Sequence, residues 1–293
     1  MRTAALDIGG TAIKSGIWDG RELTSLQEWE TRASEGAERV MERVKDILRG
    51  CGSFDAIGVS TAGQVDTVSG SIYYANGNMP GYTGMKVRAI LEQEFGVPVA
   101  VENDVNAAAL GEMHAGAARG MDSFLCLTYG TGVGGAIVMD GKVWSGSSWS
   151  GGSFGGILVH PEQWNACEEW SGCYEKYASV TALVKEAGRI DPTLDDGRKI
   201  FAAMERREVR EAVDHWIDEI VYGLVSLIHI FNPANILLGG GILAQPYVLE
   251  EIRKRVMPRL MQGMENVEIQ RTSLGNRAGL VGASAMAAAL LGR

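Results

Sequence analysis

The feature that most constrains this fold is a motif that occurs twice. Residues 4–18 form an apolar run ending at Asp7 and Ile8, then the turn Gly9–Gly10–Thr11, then a second alternating run. Residues 124–141 repeat that shape around Gly130–Thr131–Gly132. Placing Ala5 on Cys126 aligns the two without a gap, glycine on glycine at Gly9 and Gly130, and both stretches end in Asp-Gly, at Gly20 and Gly141. Apolar runs around a tight glycine turn predict β-hairpins, and the pair predicts an internal duplication. Such turns leave backbone N–H groups bare, so a phosphate can approach them without meeting a side chain. The Thr11 hydroxyl and the Lys14 ammonium add donors and charge. Lys14 ranks below Thr11, because a strand running on through Ala12 and Ile13 would carry it away from the turn.

The rest of the chain alternates strand and helix. Helical spacing of apolar residues is clear over 34–49, 85–95, from about 105, and over 176–187, 197–206, 210–231, 247–261 and 278–291. Short apolar strands are predicted over 56–60, 97–101, 235–238 and 267–269. Residues 61–81 and 145–156, rich in Gly, Asn and Ser, read as loops. The fold class expected is α/β with partly parallel sheets, with ligands at the glycine turns that end strands. A first domain over 1–117, with the C-terminal helix 278–293 as its candidate completion, and a larger second domain over 118–277 are expected.

With 293 residues, 46% of them hydrophobic, the chain can bury the cores of two domains. Its net charge of −9 argues against a nucleic-acid surface, which needs clustered Lys and Arg. No apolar run approaches the roughly 20 residues of a membrane helix, and there is no leader pattern at the N-terminus, so the expectation is a cytoplasmic protein without a membrane partner. Cys51, Cys126, Cys167 and Cys173 are scattered, which does not suggest a disulfide framework.

Asp7, at a strand end beside Gly9, Gly10 and Thr11, suits a carboxylate holding Mg²⁺ directly or through water against bound phosphates. Gly130, Thr131 and Gly132 offer a second phosphate turn. Gly239, Gly240 and Gly241 offer a third place where backbone can lie flat against a nucleotide's base and ribose. None matches the P-loop pattern. Asp104 is the candidate general base for a hydroxyl that attacks phosphorus; a helix N-cap is the other reading of the same residue. Asn103 beside it can hydrogen-bond a polyol.

These motifs resemble the ROK family of bacterial sugar kinases, in the right order and over nearly the whole chain. Residues 7–14 look like the family's first phosphate motif, 102–107 like its catalytic segment and 128–135 like its second phosphate motif. The resemblance implies an actin-like, ribonuclease-H-like two-domain ATPase fold, with ATP and sugar in a cleft between domains. It implies Asp104 as general base, Asn103 and Asn78 as sugar contacts with Gly63 nearby, Gly239 to Gly241 near the adenosine, and a homodimer. The family's repressors carry a helix-turn-helix ahead of the first motif, and with six residues before Asp7 the kinase branch is expected.

The resemblance breaks at the family's Gly-Glu-x-Gly-His and Cys-x-Cys-Gly-x-x-Gly-Cys-x-Glu. Here residues 152–156 read Gly-Ser-Phe-Gly-Gly, and residues 166–175 keep only the closing Gly172, Cys173 and Glu175. Structural zinc wants four N or S ligands, and with Gly156, Ala166 and Glu168 in ligand positions no structural zinc is expected. The family's Glu and His face the C1–C2 end of the hexose. Ser153 and Gly156 would open that end while Glu175 remains, which implies a hexose modified at C1 or C2, such as a β-glucoside, phosphorylated on its 6-hydroxyl. The alternatives are a non-catalytic sugar sensor of the same family and an actin-like ATPase with a non-sugar acceptor.

Overall fold

The structure is a computed structural model and describes residues 2–292. It divides into two compact units. One runs to Met121 and includes Val143–Gly151 and the stretch from Asn276 onward; the other comprises Asp122–Lys142 and Gly152–Gly275. Val143–Gly151 thus falls with the first unit, inside the range 118–277 expected of the second domain.

In the first unit, β1 (Thr3–Ile8), β2 (Ala12–Trp18), β3 (Leu23–Glu30), β4 (Ala56–Thr61) and β7 (Val99–Asn103) form one sheet in the order β3-β2-β1-β4-β7. β1 pairs antiparallel with β2 and parallel with β4, and β4 pairs parallel with β7. β4 is buried at every position, as expected of a strand covered on both faces. Leu6, Ile8, Ile57, Val59, Val99 and Val101 pack with Val40, Val44 and Leu48 of α1 (Ala37–Gly50) and Leu91 of α2 (Val87–Phe95). The opposite face presents Ala5, Gly58 and Ala100 in register. Their smallness lets α9 (Ala278–Leu290) lie close, with α3 (Asp104–Ala115) beside it. At the α3–α9 crossing, a Cβ on Gly282 would collide with the carbonyl of Ala107. The small-residue character of α9 therefore records close packing.

Two features of the first unit differ from expectation. β3 has no buried position, so it carries no hydrophobic alternation by which the sequence would reveal it. A second hairpin, β5 (Gln64–Asp66) with β6 (Ser71–Tyr74), interrupts the stretch 61–81 that reads as loop.

In the second unit, β8 (Phe124–Tyr129), β9 (Val133–Met139), β11 (Asn235–Gly239) and β12 (Glu268–Arg271) follow the order β9-β8-β11-β12, with the two-residue β10 (Lys142–Val143) at the β9 edge. β8 pairs antiparallel with β9 and parallel with β11, which pairs parallel with β12. The connectivity repeats that of the first sheet, which is the duplication expected from the twin hairpins. The turns differ in length: Ile8 faces Ile13 in the first hairpin, whereas Tyr129 faces Val133 in the second.

The core of this unit is the face of α7 (Arg207–Phe231) bearing Val213, Ile217, Ile220, Leu224 and Ile228, packed with Leu125, Leu127, Ile236 and Leu238. α7 stops at Asn232, which adopts the left-handed conformation at φ 42°. The single helix expected over 176–187 is two, α4 (Glu175–Ala178) and α5 (Val180–Ile190). Ser179 between them is extended, and its hydroxyl caps α5 by accepting from the Ala182 N–H. α6 (Gly197–Ala202) and α8 (Pro246–Val256) complete the unit. The architecture is the actin-like, ribonuclease-H-like α/β fold.

Candidate active site

The first glycine turn is closed by the Gly9 N–H donating to the Ala12 carbonyl at 2.9 Å. The Thr31 hydroxyl donates to the Gly9 carbonyl at 2.7 Å, and the Thr31 N–H donates to the Thr11 carbonyl. This fixes the loop from below. Gly10 and Thr11 are exposed at its tip, and their N–H groups have no protein acceptor among the described residues, the arrangement that holds anions.

Asp7 lies on the α9 face of the sheet, two residues beyond Ala5. Its partner across the parallel pairing is Ser60, whose hydroxyl donates to Asp7 Oδ1 at 2.7 Å. Across the antiparallel pairing stands Lys14, its ammonium 3.8 Å from Asp7 Oδ2. Lys14 therefore faces Asp7 from the neighbouring strand, back from the tip of the turn. Gly279, in the first turn of α9, backs the pair: a Cβ there would stand 3.0 Å from Ser60 Oγ and 3.1 Å from Asp7 Oδ1. Ser60 escapes a motif reading, because a lone Ser at the end of an apolar strand becomes informative only once the strand register is known.

β7 ends at Asn103 and α3 begins at Asp104. The helix cap is Asn103, not Asp104: its side-chain oxygen accepts from the N–H groups of Val105 and Asn106, at 2.9 and 3.2 Å. Asp104 is thereby released from capping through Asn103, though its Oδ1 accepts from the Val105 N–H at 2.9 Å and from the Asn103 amide at 2.8 Å. Oδ2 has no protein partner among the described residues. Burial, and then the negative charge of Asp7, push the Asp104 carboxyl up to about 6, against the pull of the Val105 N–H, the Asn103 amide and its own N–H. Gly63, at the turn after β4, offers its carbonyl to the Asn103 amide at 2.9 Å. Asp7, Asp104, Asn103 and Gly63 are thus brought together. Asn78 is exposed, on the loop after β6.

In the second unit the turn Gly130–Thr131–Gly132 is closed by the Gly130 N–H donating to the Gly132 carbonyl at 2.9 Å. The Thr181 hydroxyl donates to the Thr131 carbonyl, and the Val180 N–H to the Gly130 carbonyl. Glu175 braces the far side, accepting from the Val133 N–H at 3.0 Å. Its side chain also lies against Gly155, in the helical turn Phe154–Gly156. Gly240 has φ 114° and would place a Cβ into the Tyr129 carbonyl, so its glycine is required by the close approach of the two strand ends. Gly241 has open space at the same position. The Cζ3–Cη2 edge of the Trp170 indole approaches Gly156, its nearer atom 3.4 Å from where a Cβ would stand.

His160 follows in the stretch that departs from the zinc pattern. Its Nε2 meets Glu219 of α7 at 2.8 Å, its Nδ1 meets Glu162 at 2.9 Å, and its ring packs at a tilt of 46° against Tyr177. Among the described residues no group of three His, Cys, Asp or Glu side chains is arranged to hold a metal. Burial opposes protonation of His160, but the hydrogen bonds to Glu219 and Glu162 outweigh it and raise its pKa above the usual 6.5. The stabilisation from the charged pair is therefore complete below about pH 6.5 and is lost as pH rises through the raised value. His160→Ala leaves the buried Glu219, 3% exposed, with only His215 at 3.5 Å as a partner, and is expected to cost about 1–3 kcal/mol in urea unfolding. The loss should be larger at pH 6 than at pH 9.

Residues 3–289 match the family model described as the ROK family. A β-glucoside kinase of Listeria monocytogenes is 32% identical over 291 residues, covering 97% of this chain and 96% of the relative. The crystal structure of a ROK hexokinase from Thermus thermophilus superposes with a TM-score of 0.85 at 34% identity, over 100% of this chain and 99% of the other. A ROK family glucokinase from Streptomyces griseus, in complex with glucose and AMPPNP, gives 0.83 at 30% identity, over 99% of this chain and 100% of its own. Two glycine turns at strand ends, an Asn-Asp pair opening a helix and a match spanning nearly the whole sequence lead to one conclusion: the chain belongs to the ROK family.

Proposed function

We propose that the chain is an ATP-dependent sugar kinase that transfers the γ-phosphoryl group of ATP to the 6-hydroxyl of a hexose bearing a substituent at C1 or C2, as a β-glucoside does. The observation that carries the reading is Asp104. One of its oxygens is held by two donors, the other is unengaged, and burial with the Asp7 charge tunes it to about 6. A base poised near working pH takes a hydroxyl proton efficiently. Asp104 Oδ2 accepts the proton of the sugar hydroxyl as that oxygen bonds to the γ-phosphorus and the bond to the ADP oxygen breaks.

Phosphoryl transfer otherwise asks for positioning and charge stabilisation. Gly9, Gly10 and Thr11, with Lys14 beside them, are read as phosphate-binding, and so are Gly130, Thr131 and Gly132; Gly239, Gly240 and Gly241 are read as lying near the adenosine. Mg²⁺ is usually held by one or two carboxylates plus substrate phosphates and waters. Asp7 fits: it is a single carboxylate with one oxygen fixed by Ser60, and it is only partly buried. Bound there, Mg²⁺ would neutralise phosphate charge. By the family resemblance we count Gly63, Asn78, Asn103, Asp104, Ser153, Gly156 and Glu175 among the sugar-binding groups. The protein is read as a cytoplasmic homodimer.

The substituted sugar is supported by Ser153 and Gly156, which lack the family's Glu and His, and by the Trp170 indole edge beside Gly156. An aromatic edge is apolar and offers no hydrogen bond, so it favours an apolar substituent over a hydrogen-bonded hydroxyl. In a panel of glucose, fructose, allose, N-acetylmannosamine and alkyl or aryl β-glucosides with ATP and Mg²⁺, kcat/KM for a β-glucoside is expected to exceed that for glucose by about tenfold or more. Unmodified glucose as the best substrate would remove the C1–C2 assignment.

A further inference from the structure

We propose that His160 is a positioning residue for the sugar side of the second unit: together with Tyr174 it fastens the irregular stretch 157–174 to α7, and so sets where Gly156, Trp170 and Glu175 stand. The inference rests on the sugar-kinase reading, in which Gly156 and Glu175 are sugar-binding and Trp170 lies beside the substituent. The stretch leaves after Gly156 and returns at Glu175, and its two arms pair at the base. Leu158 bridges Cys173 antiparallel, the Gly172 carbonyl accepts from the N–H groups of both Val159 and His160, at 3.0 and 2.9 Å, and the Tyr174 N–H donates to the Ile157 carbonyl at 2.7 Å. Each arm is tied to the same turn of α7. On the outgoing arm, His160 Nε2 meets Glu219 at 2.8 Å. On the returning arm, the Tyr174 hydroxyl donates to the Ile220 carbonyl at 2.7 Å, and its ring lies on Gly223, where a Cβ would collide with it. Glycine is unfavourable inside a helix, so Gly223 records the seating of that ring.

Between the arms, Trp170 is held in the left-handed region at φ 64°, which a bulky residue keeps only where its surroundings over-determine it. Its carbonyl accepts from the Cys173 N–H at 3.0 Å, in the returning arm. The two ties differ in kind. Both ring nitrogens of His160 meet carboxylate oxygens, Nε2 that of Glu219 and Nδ1 that of Glu162 at 2.9 Å, and only the imidazolium carries an N–H at each. Tyr177 of α4 packs against the ring, Tyr222 of α7 meets it edge-on at 6.4 Å, and His215 of α7 shares Glu219 at 3.5 Å. Among the described residues neither carboxylate pairs with a Lys or Arg. Loss of the ring proton therefore leaves one nitrogen with no hydrogen to donate, and the outgoing arm loosens while the Tyr174 tie stays.

The test compares His160→Ala and His160→Gln with the wild type, reading KM for a β-glucoside against KM for ATP, and amide hydrogen exchange over 157–174. With His160→Ala, KM for the glucoside at pH 6 should rise by about tenfold, KM for ATP should stay within about twofold, and exchange over 157–174 should quicken by about tenfold or more. His160→Gln keeps an amide N–H for Glu219 and does not titrate, so its glucoside KM at pH 6 should lie within about threefold of the wild type. Asp104 titrates in all three proteins, so the effect of pH is read as the ratio of variant to wild-type KM at each pH. For either variant that ratio should fall by about threefold from pH 6 to pH 9, as the wild-type tie loses its proton. A His160→Ala protein that unfolds more easily yet keeps both KM values, or raises both alike, overturns the inference, and so do ratios that do not change with pH. If the wild type prefers glucose to every β-glucoside, the C1–C2 assignment fails alone, and the same ratios measured with glucose decide the role of His160. If it phosphorylates no sugar, the kinase reading fails and this inference with it.

Discussion

Asp104→Asn is expected to lower kcat by about 10²–10⁴-fold, the usual worth of a general base, while sugar binding measured by calorimetry changes little. The substitution keeps the acceptor that meets the Asn103 amide and the Val105 N–H and removes only the proton acceptor. Its effect on stability should have the opposite sign. The folded-state pKa of Asp104 is raised from 3.8 to about 6, so its stabilising contribution is complete below pH 3.8 and is lost as pH rises through 6. At pH 7.5 the wild type bears the cost of a charge that Asn does not have. At 1.36 kcal/mol per pH unit this is at most about 3 kcal/mol, and the partial exposure of the group reduces it to about 1–2 kcal/mol. The inactive variant should therefore unfold at higher denaturant than the wild type at pH 7.5, and at nearly the same concentration near pH 4. An inactive variant that is also less stable would point to lost packing.

The second large effect is expected at the α3–α9 crossing. Gly282→Ala should destabilise the protein by about 2–4 kcal/mol, although a Gly→Ala change in an open helix normally stabilises by about 0.5–1 kcal/mol. Geometry decides the sign. A Cβ on Gly282 would meet the carbonyl of Ala107 and the backbone N of Gly111, and neither is a side chain that can swing away. Gly188 in α5 has nothing within reach of a Cβ, so Gly188→Ala is the control and should be neutral or stabilising. Because α9 also places Gly279 behind Asp7 and Ser60, the Gly282 variant should lose activity along with stability. Equal unfolding midpoints for the two alanine variants would contradict the close crossing.

How far the site could be read in advance depended on whether its signal was local. The hairpins carry their signal locally, as apolar runs around glycine, and the repeated topology of the two sheets follows from them. Asp7 and Asp104 stood out because each sits where a strand ends. Ser60 did not, because its role depends on pairing with a strand 53 residues away. The exchange of cap between Asn103 and Asp104 was equally hidden: both are good N-caps, and a one-residue difference in where β7 ends decides between them. β3 escaped because all its side chains are at least partly exposed, leaving no alternation to detect. Gly240 illustrates the converse. It reads as part of a ligand-binding triplet, yet its φ and its approach to Tyr129 already require glycine on structural grounds.

If the chain transfers the γ-phosphoryl group of ATP to a sugar hydroxyl with Asp104 as base, ³¹P NMR of a reaction with a β-glucoside, ATP and Mg²⁺ should show a sugar 6-phosphate ester growing in step with ADP for the wild type, and no ester for Asp104→Asn under the same conditions. ADP and inorganic phosphate appearing at a rate indifferent to every sugar, or sugar binding with no loss of ATP, would contradict it.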